Sequence, residues 1–317
     1  MVHLVAAQHA AKARQGAGLI LKTDNPAAPA DYIPTWKTSF MRYLACLFCI
    51  TTLHFASAAY CAEEPFSAII SAPAPVFNAV QPAASPTPPK PDSCGQHREL
   101  EFIALPGTPV TVISKLRAGS SYVYQISTPA YKAPPGVKLY LSAERLDFRQ
   151  QHAKHSAVIT PKPDETVSRL KKSVGLPYVW GGNWASGITW RDGSTIFAGL
   201  DCSGLLYEAT DGFTPRNSVD LLEFGKPVKV SGLTVYSIAE RLKPLDLIVW
   251  NGHVIIVLDR ESVIESELAC SRAKRGGVKI TPLDQRLREI MSTRKPLDRW
   301  PTGNGRHPAF VVRRWLD

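Results

Sequence analysis

Gly199-Leu200-Asp201-Cys202-Ser203-Gly204-Leu205-Leu206-Tyr207 decides how this chain is read. A glycine-rich loop passes into an apolar helix, and one cysteine sits at the junction. The first turn of a helix carries unpaired N–H groups and a partial positive charge, and both favour a thiolate over a thiol. Leu205 and Leu206 supply the buried side that anchors such a helix. Taken alone, a lone cysteine reads first as a small core residue. Two other stretches shift that balance. Upstream lies Leu176-Pro177-Tyr178-Val179-Trp180-Gly181-Gly182, and downstream lies Leu245-Asp246-Leu247-Ile248-Val249-Trp250-Asn251-Gly252-His253-Val254. A cysteine with a later histidine is the pairing cysteine hydrolases use, and the two meet in space rather than in sequence.

Three blocks stand in order: Pro-Tyr-Val-Trp-Gly-Gly, Asp-Cys-Ser-Gly-Leu, and Gly-His-Val leading into an apolar strand. In that order they resemble the NlpC/P60 family of cell-wall cysteine peptidases. The resemblance covers the chain from about Asp164 to Asp317. It implies an α+β, papain-like catalytic domain, with helices packed on an antiparallel sheet. It further implies hydrolysis of the bond between D-γ-glutamyl and a diamino acid, usually meso-diaminopimelate. The implied partners are peptidoglycan or muropeptides, and no cofactor is called for. An amidase or acyltransferase on the same scaffold is the alternative chemistry. A wall-binding protein with a decayed site is the non-enzymatic alternative, and intact Cys202 and His253 speak against it.

Within that resemblance Cys202 is the nucleophile and His253 the base, and the backbone N–H of Cys202 helps to hold the oxyanion. The third catalytic position, usually histidine in the family, falls on Glu265 in Val263-Ile264-Glu265-Ser266. A carboxylate can orient an imidazole and stabilise its charged form. Strand register decides between Glu265 and Ser266: an odd turn after Leu258 puts Glu265 on the side of His253. A glutamate facing inward from an apolar strand also needs a charged partner. Tyr178 inherits a place lining the active site. Asp201 and Ser203 inherit a role in holding the substrate's free amine, although Asp201 reads equally as the helix cap. The sequence departs from the family at two points. Pro244-Leu245-Asp246-Leu247 replaces Pro-Gly-Asp-Leu, and Leu221 replaces a glutamine, which makes nearby Arg216 a structural residue.

The 317 residues carry a net charge of +10 and 44% hydrophobic residues, enough for a sizeable core and two domains. The positive balance suits an anionic partner or solubility alone. Neither zinc-finger spacing nor a nucleotide-binding glycine fingerprint is present, and the glycine loop after Trp180 lacks the Lys-Ser/Thr of a phosphate loop. Nucleic acid and metal are therefore excluded as partners of the reading. Met41-Arg42, the apolar run Tyr43 to Phe55 and Ala56-Ser57-Ala58-Ala59 form a secretory signal over residues 41–59. Translation is then expected to start at Met41, with residues 1–40 a non-native extension. Export to the periplasm or cell envelope follows, with no stable membrane insertion after signal removal. Such an environment permits a disulfide among Cys61, Cys94 and Cys270.

Residues 60–95 read as a Pro-rich linker. Residues 96–150 read as a small SH3-like β-barrel, with strand-like runs at Phe102 to Leu105, Val110 to Ile113, Ser121 to Ile126 and Val137 to Leu141. The catalytic domain is expected over 160–317, and the protein is expected to be a monomer. Within that domain, Asp284 to Trp300 reads as a basic, partly helical, solvated face.

Overall fold

Period-2 alternation of apolar residues builds two large, mainly antiparallel sheets, one before and one after the Tyr178–Gly182 loop in the chain. The computed structural model describes residues 64–148, 160–271, 274–302 and 307–316. The expected extension, the signal segment and Cys61 lie outside the described residues. Among the described residues no helix is long and apolar enough to cross a membrane.

The first sheet contains β1 (Phe66–Ile70), β2 (Ala74–Phe77), β3 (Leu100–Ala104), β4 (Pro109–Ala118), β5 (Ser121–Ser127), β6 (Leu139–Ser142) and β7 (Leu146–Asp147). Its order is β3-β2-β6-β5-β4-β1-β7. A short helix, α1 (Val80–Ala84), follows β2. Two expectations are corrected here. Among the described residues no closed SH3-like barrel is found: β3 and β7 end the sheet without pairing to each other. The segment expected as linker also contributes β1, β2 and α1. Its proline content conceals an apolar alternation: Ala68, Ile70, Ala74 and Val76 are all buried and pack with Phe102, Val112, Ile126 and Leu141.

The second half begins with α2 (Pro163–Lys172), which turns Thr166 and Leu170 inward. Val174 lies beyond its end and is exposed. Four two-residue strands follow: β8 (Asn183–Trp184), β9 (Ile188–Thr189), β10 (Thr195–Ile196) and β11 (Gly199–Leu200). Then come α3 (Cys202–Ala209), α4 (Ser218–Leu221), β12 (Lys226–Val228) and α5 (Val235–Arg241). The remaining elements are β13 (Leu247–Trp250), β14 (His253–Val257), β15 (Ser262–Ser271), β16 (Lys274–Pro282), α6 (Leu283–Met291), β17 (Lys295–Leu297) and β18 (Ala309–Arg314). The large sheet runs β12-β18-β13-β14-β15-β16, with β17 added beside β18.

Alternation along β13 to β15 sends residues to opposite faces. Leu247, Val249, Val254, Ile256 and Ile264 pack with Leu205 and Leu206 of α3. Ile248, Ile255, Val257 and Val263 pack with Ile238 of α5 and with Leu283, Leu287 and Ile290 of α6. The sheet is thus a middle layer, with the cysteine helix on one side and α5 and α6 on the other. Asn183 ties the two halves together. Its side chain accepts from Ile103 N–H at 2.9 Å and donates to Ile103 O at 2.8 Å, which satisfies an edge residue of β3. A disulfide between Cys94 and Cys270 adds a covalent tie across 176 residues.

Candidate active site

The start of α3 is fixed from several directions. Asp201 caps the helix, its Oδ1 accepting from Gly204 N–H at 2.7 Å. Gly204 is required because α3 presses on the glycine loop: a Cβ there would collide with the Gly182 carbonyl oxygen. Cys202 therefore opens the helix, is buried, and is the free cysteine among the described residues. Its thiol lies 3.9 Å from the carbonyl oxygen of Gly252, to which it can donate.

Gly252 belongs to the two-residue turn between β13 and β14, where its φ of 94° suits glycine. The next residue is His253, opposite Trp250 across the hairpin. From β14 the chain turns through Asp259, Arg260 and Glu261 into β15, which pairs Val257 with Val263 and Ile256 with Ile264. That register puts Glu265 beside Ile255, two residues from His253 and on the same face. His253 Nε2 lies 2.7 Å from Glu265 Oε2, which leaves Nδ1 for the thiol. Ser266 points the other way, its hydroxyl donating to Leu200 O at 2.6 Å.

Charge is distributed decisively in this group. Burial raises the Glu265 carboxyl, but hydrogen bonds from His253 and Arg286 outweigh it and bring the group down to about 2. Burial likewise disfavours a charged His253, yet hydrogen bonds to Cys202 and Glu265, with their charges, hold it up at about 9. The imidazole is therefore protonated at neutral pH, beside a thiol and an ionised carboxylate.

Arg286 was not legible as part of the site. It stands on α6, in the stretch expected to be a solvated face. Its Nε donates to Glu265 Oε1 at 2.8 Å and its Nη2 to Glu265 Oε2 at 2.8 Å, a fork matched to a carboxylate. Nη1 donates to Glu289 Oε2 at 3.1 Å. The signal was present in the spacing of Leu283, Leu287 and Ile290, which marks α6 as packed on the sheet and puts Arg286 at its margin.

The residues expected to hold substrate form a second cluster. Arg216 is buried and donates from Nη1 to Asp201 Oδ1 and Ser203 Oγ, each at 3.0 Å, and from Nη2 to Asp201 Oδ2 at 2.6 Å. Its Nε donates to Asn183 Oδ1 at 3.0 Å, extending the network to the first sheet. Asp201 and Ser203 are thus close to Cys202 but bonded to one another and to Arg216. Tyr178 is half-buried. Burial, then the charges of Asp201 and Cys202 beside it, raise its phenol. Its backbone is held by Gly276 O at 3.0 Å and by Gln96, which donates to Tyr178 O at 3.3 Å and accepts from Trp180 N–H at 2.8 Å.

No family model matches the chain, and no curated protein does. Solved structures do match. Over 49% of this chain and 97% of its own, RipD from Mycobacterium tuberculosis is similar at 21% identity, with a TM-score of 0.30; it is described as a non-catalytic NlpC/p60 domain protein adapted to peptidoglycan binding. The P60 domain of an antigen from M. avium paratuberculosis is 21% identical over 38% of this chain and 82% of its own, with a TM-score of 0.26. An NlpC/P60 endopeptidase from Photobacterium damselae subsp. piscicida is 13% identical over 68% of this chain and 66% of its own, with a TM-score of 0.41.

Proposed function

We propose that this chain is an exported cysteine peptidase of NlpC/P60 type that hydrolyses the D-γ-glutamyl–diamino acid bond of peptidoglycan stem peptides. The observation that carries the reading is the 2.7 Å contact between His253 and Glu265, made beside a cysteine at the start of a helix. Such a group does the work of amide hydrolysis. The Cys202 thiolate attacks the γ-carbonyl carbon, and helix-start N–H groups, that of Cys202 among them, stabilise the oxyanion. The imidazolium of His253 gives its proton to the departing amine, which leaves a thioester on Cys202. Water then attacks the thioester with His253 as base, and the thiolate–imidazolium pair is restored. Glu265 holds the ring and its charge throughout. Tyr178, Asp201 and Ser203 are assigned the free amine at the other end of the substrate.

Three charged or nucleophilic groups, each placed by a different element, favour a working site over a decayed one. Digestion of purified muropeptides by the mature protein, with mass spectrometry of the products, tests the reading. Cleavage between D-glutamate and the diamino acid is expected. Release at the lactyl-amide would instead make the protein an amidase.

A further inference from the structure

The segment that carries Tyr178 is held from two sides. On one side it lies along the outer edge of β16, the last strand of the large sheet. Gly175 N–H donates to Val278 O at 2.9 Å, Val278 N–H to Leu176 O at 2.9 Å and Tyr178 N–H to Gly276 O at 3.0 Å. Gly277 permits this approach, since a Cβ there would collide with the Leu176 carbonyl oxygen. On the other side stands Gln96, a buried amide from the first half of the chain. Its Nε2 donates to Tyr178 O at 3.3 Å, and its Oε1 accepts from Trp180 N–H at 2.8 Å.

The Cys94–Cys270 disulfide joins these two jaws. Cys94 is two residues before Gln96, and its carbonyl accepts from Gln96 Nε2 at 3.4 Å. Asp92 closes the loop around both, its Oδ1 accepting from Cys94 N–H and Gln96 N–H, each at 2.8 Å. Cys270 pairs with Arg275 across the β15–β16 hairpin, one residue from Gly276. The bond is within reach of a reductant, because Cys270 is exposed and Cys94 half-buried.

What the jaws hold lies against the nucleophile. Leu200 N–H donates to Pro177 O at 3.1 Å and Val179 N–H to Leu200 O at 3.4 Å, so the segment runs beside the residues that lead into Cys202. After burial, the charges of Asp201 and Cys202 raise the Tyr178 phenol most, so the ring stands close to both. We propose that Gln96 is a positioning residue of the site and that the Cys94–Cys270 disulfide is its switch: intact, it fixes the Tyr178–Trp180 segment for substrate, and reduced, it lets the segment loosen. Reduction by a dithiol supplies two electrons and two protons. The S–S bond breaks, Cys94 and Cys270 become thiols, and the dithiol closes to its own disulfide. Substrate must then order a looser segment, which costs conformational entropy, and affinity falls with the share of molecules in the competent form. Full activity is thereby confined to an oxidising compartment. This regulation rests on the peptidase reading and on Tyr178 lining its cleft.

The test follows hydrolysis of a stem tripeptide ending in meso-diaminopimelate by the full chain, at a temperature where circular dichroism shows it folded. The disulfide is left intact, reduced with a dithiol, or reduced and reoxidised. Reduction should raise KM roughly 5- to 30-fold, the effect of losing one or two hydrogen bonds, with kcat within about threefold, and reoxidation should reverse it. Gln96→Ala, with its disulfide intact, should show the same rise in KM, and reduction should add less than about twofold to it. The alkylation rate of Cys202, read by peptide mapping, should stay within about twofold in Gln96→Ala and in Cys94→Ser/Cys270→Ser, because thiolate reactivity depends on His253 and Glu265. If the reduced form unfolds, Gln96→Ala decides alone. An unchanged KM in Gln96→Ala, or in folded reduced protein, overturns the proposal, as does a loss of Cys202 reactivity equal to the loss of turnover. An oxidised wild type that cleaves no stem overturns the peptidase reading and this regulation with it, so the two failures are distinguishable.

Discussion

The imidazole of His253 and the carboxylate of Glu265 set the pH behaviour of the site. Glu265 is depressed to about 2, so its contribution to stability is complete above its unfolded value, near 4.3, and is lost as pH falls through about 2. His253 is raised to about 9, so its contribution is complete below about 6.5 and is lost as pH rises through about 9. Both are fully present between about pH 4.5 and 6.5, and stability should be greatest there as far as this pair decides it. Glu265→Gln removes the charge while keeping the size. Loss of the orienting carboxylate in a serine triad costs about 10⁴ in rate. With a helix start assisting the thiolate, a drop of roughly 10 to 10³ is expected here. The imidazole should also titrate below about 9 in an NMR titration of His253. Ser266→Ala, which loses only the bond to Leu200 O, should cost about 1 kcal/mol of stability and leave turnover intact. The reverse pattern, Ser266→Ala inactive and Glu265→Gln silent, would exclude Glu265. From sequence the choice narrowed to Glu265 or Ser266, because a period of 2 leaves only the parity of the turn open; the three residues of the observed turn put Glu265 on the side of His253.

At the scale of elements, the turn into β13 and helix α6 were the less legible parts. Leu245 stands where the family has glycine and adopts φ 67°, a left-handed conformation that costs about 1–2 kcal/mol for an L-residue. The side chain is 1% exposed and lies in the core beside α3, and truncating a buried leucine costs about 2–5 kcal/mol. Burial therefore wins. Leu245→Gly should destabilise the protein by roughly 2 kcal/mol in urea unfolding despite relieving strain; a stabilised variant would show that the turn decides. Helix α6 was misjudged for a physical reason. Its charged and polar residues together outnumber its apolar ones, and the three that pack inward are spaced for a helix instead of clustered. Arg286→Met should leave Glu265 buried beside a ring that no longer shares it with a guanidinium. A loss of about 3 kcal/mol is expected, the cost of breaking a buried pair, with the imidazole still protonated at neutral pH. Stability equal to wild type would remove Arg286 from the network.

On the scale of the whole molecule, the ties between the two halves include the Asn183 contact with β3 and the Cys94–Cys270 disulfide. The second closes a loop of 176 residues, so chain entropy gives it about 3–5 kcal/mol. Cys270→Ser should lower Tm by roughly 10 °C under oxidising conditions, and reductant should then make no further difference; wild type equally stable with and without reductant would contradict this. Sequence could limit the disulfide to three cysteines but not pair them, because pairing depends on how the β15–β16 hairpin folds against the Gln96 loop. The linker was misread for the opposite reason. Proline composition is a local signal, whereas the burial of Ala68, Ile70, Ala74 and Val76 depends on strands that lie far along the chain. The central claim is that these parts assemble a nucleophile at Cys202, and acid-quenched peptide mapping during muropeptide turnover tests it most directly. The account predicts a covalent adduct on Cys202 with the mass of the acyl half of the stem, and its absence, together with all turnover, in Cys202→Ala. Undiminished turnover by Cys202→Ala, with no adduct on Cys202 in the wild type, would contradict it.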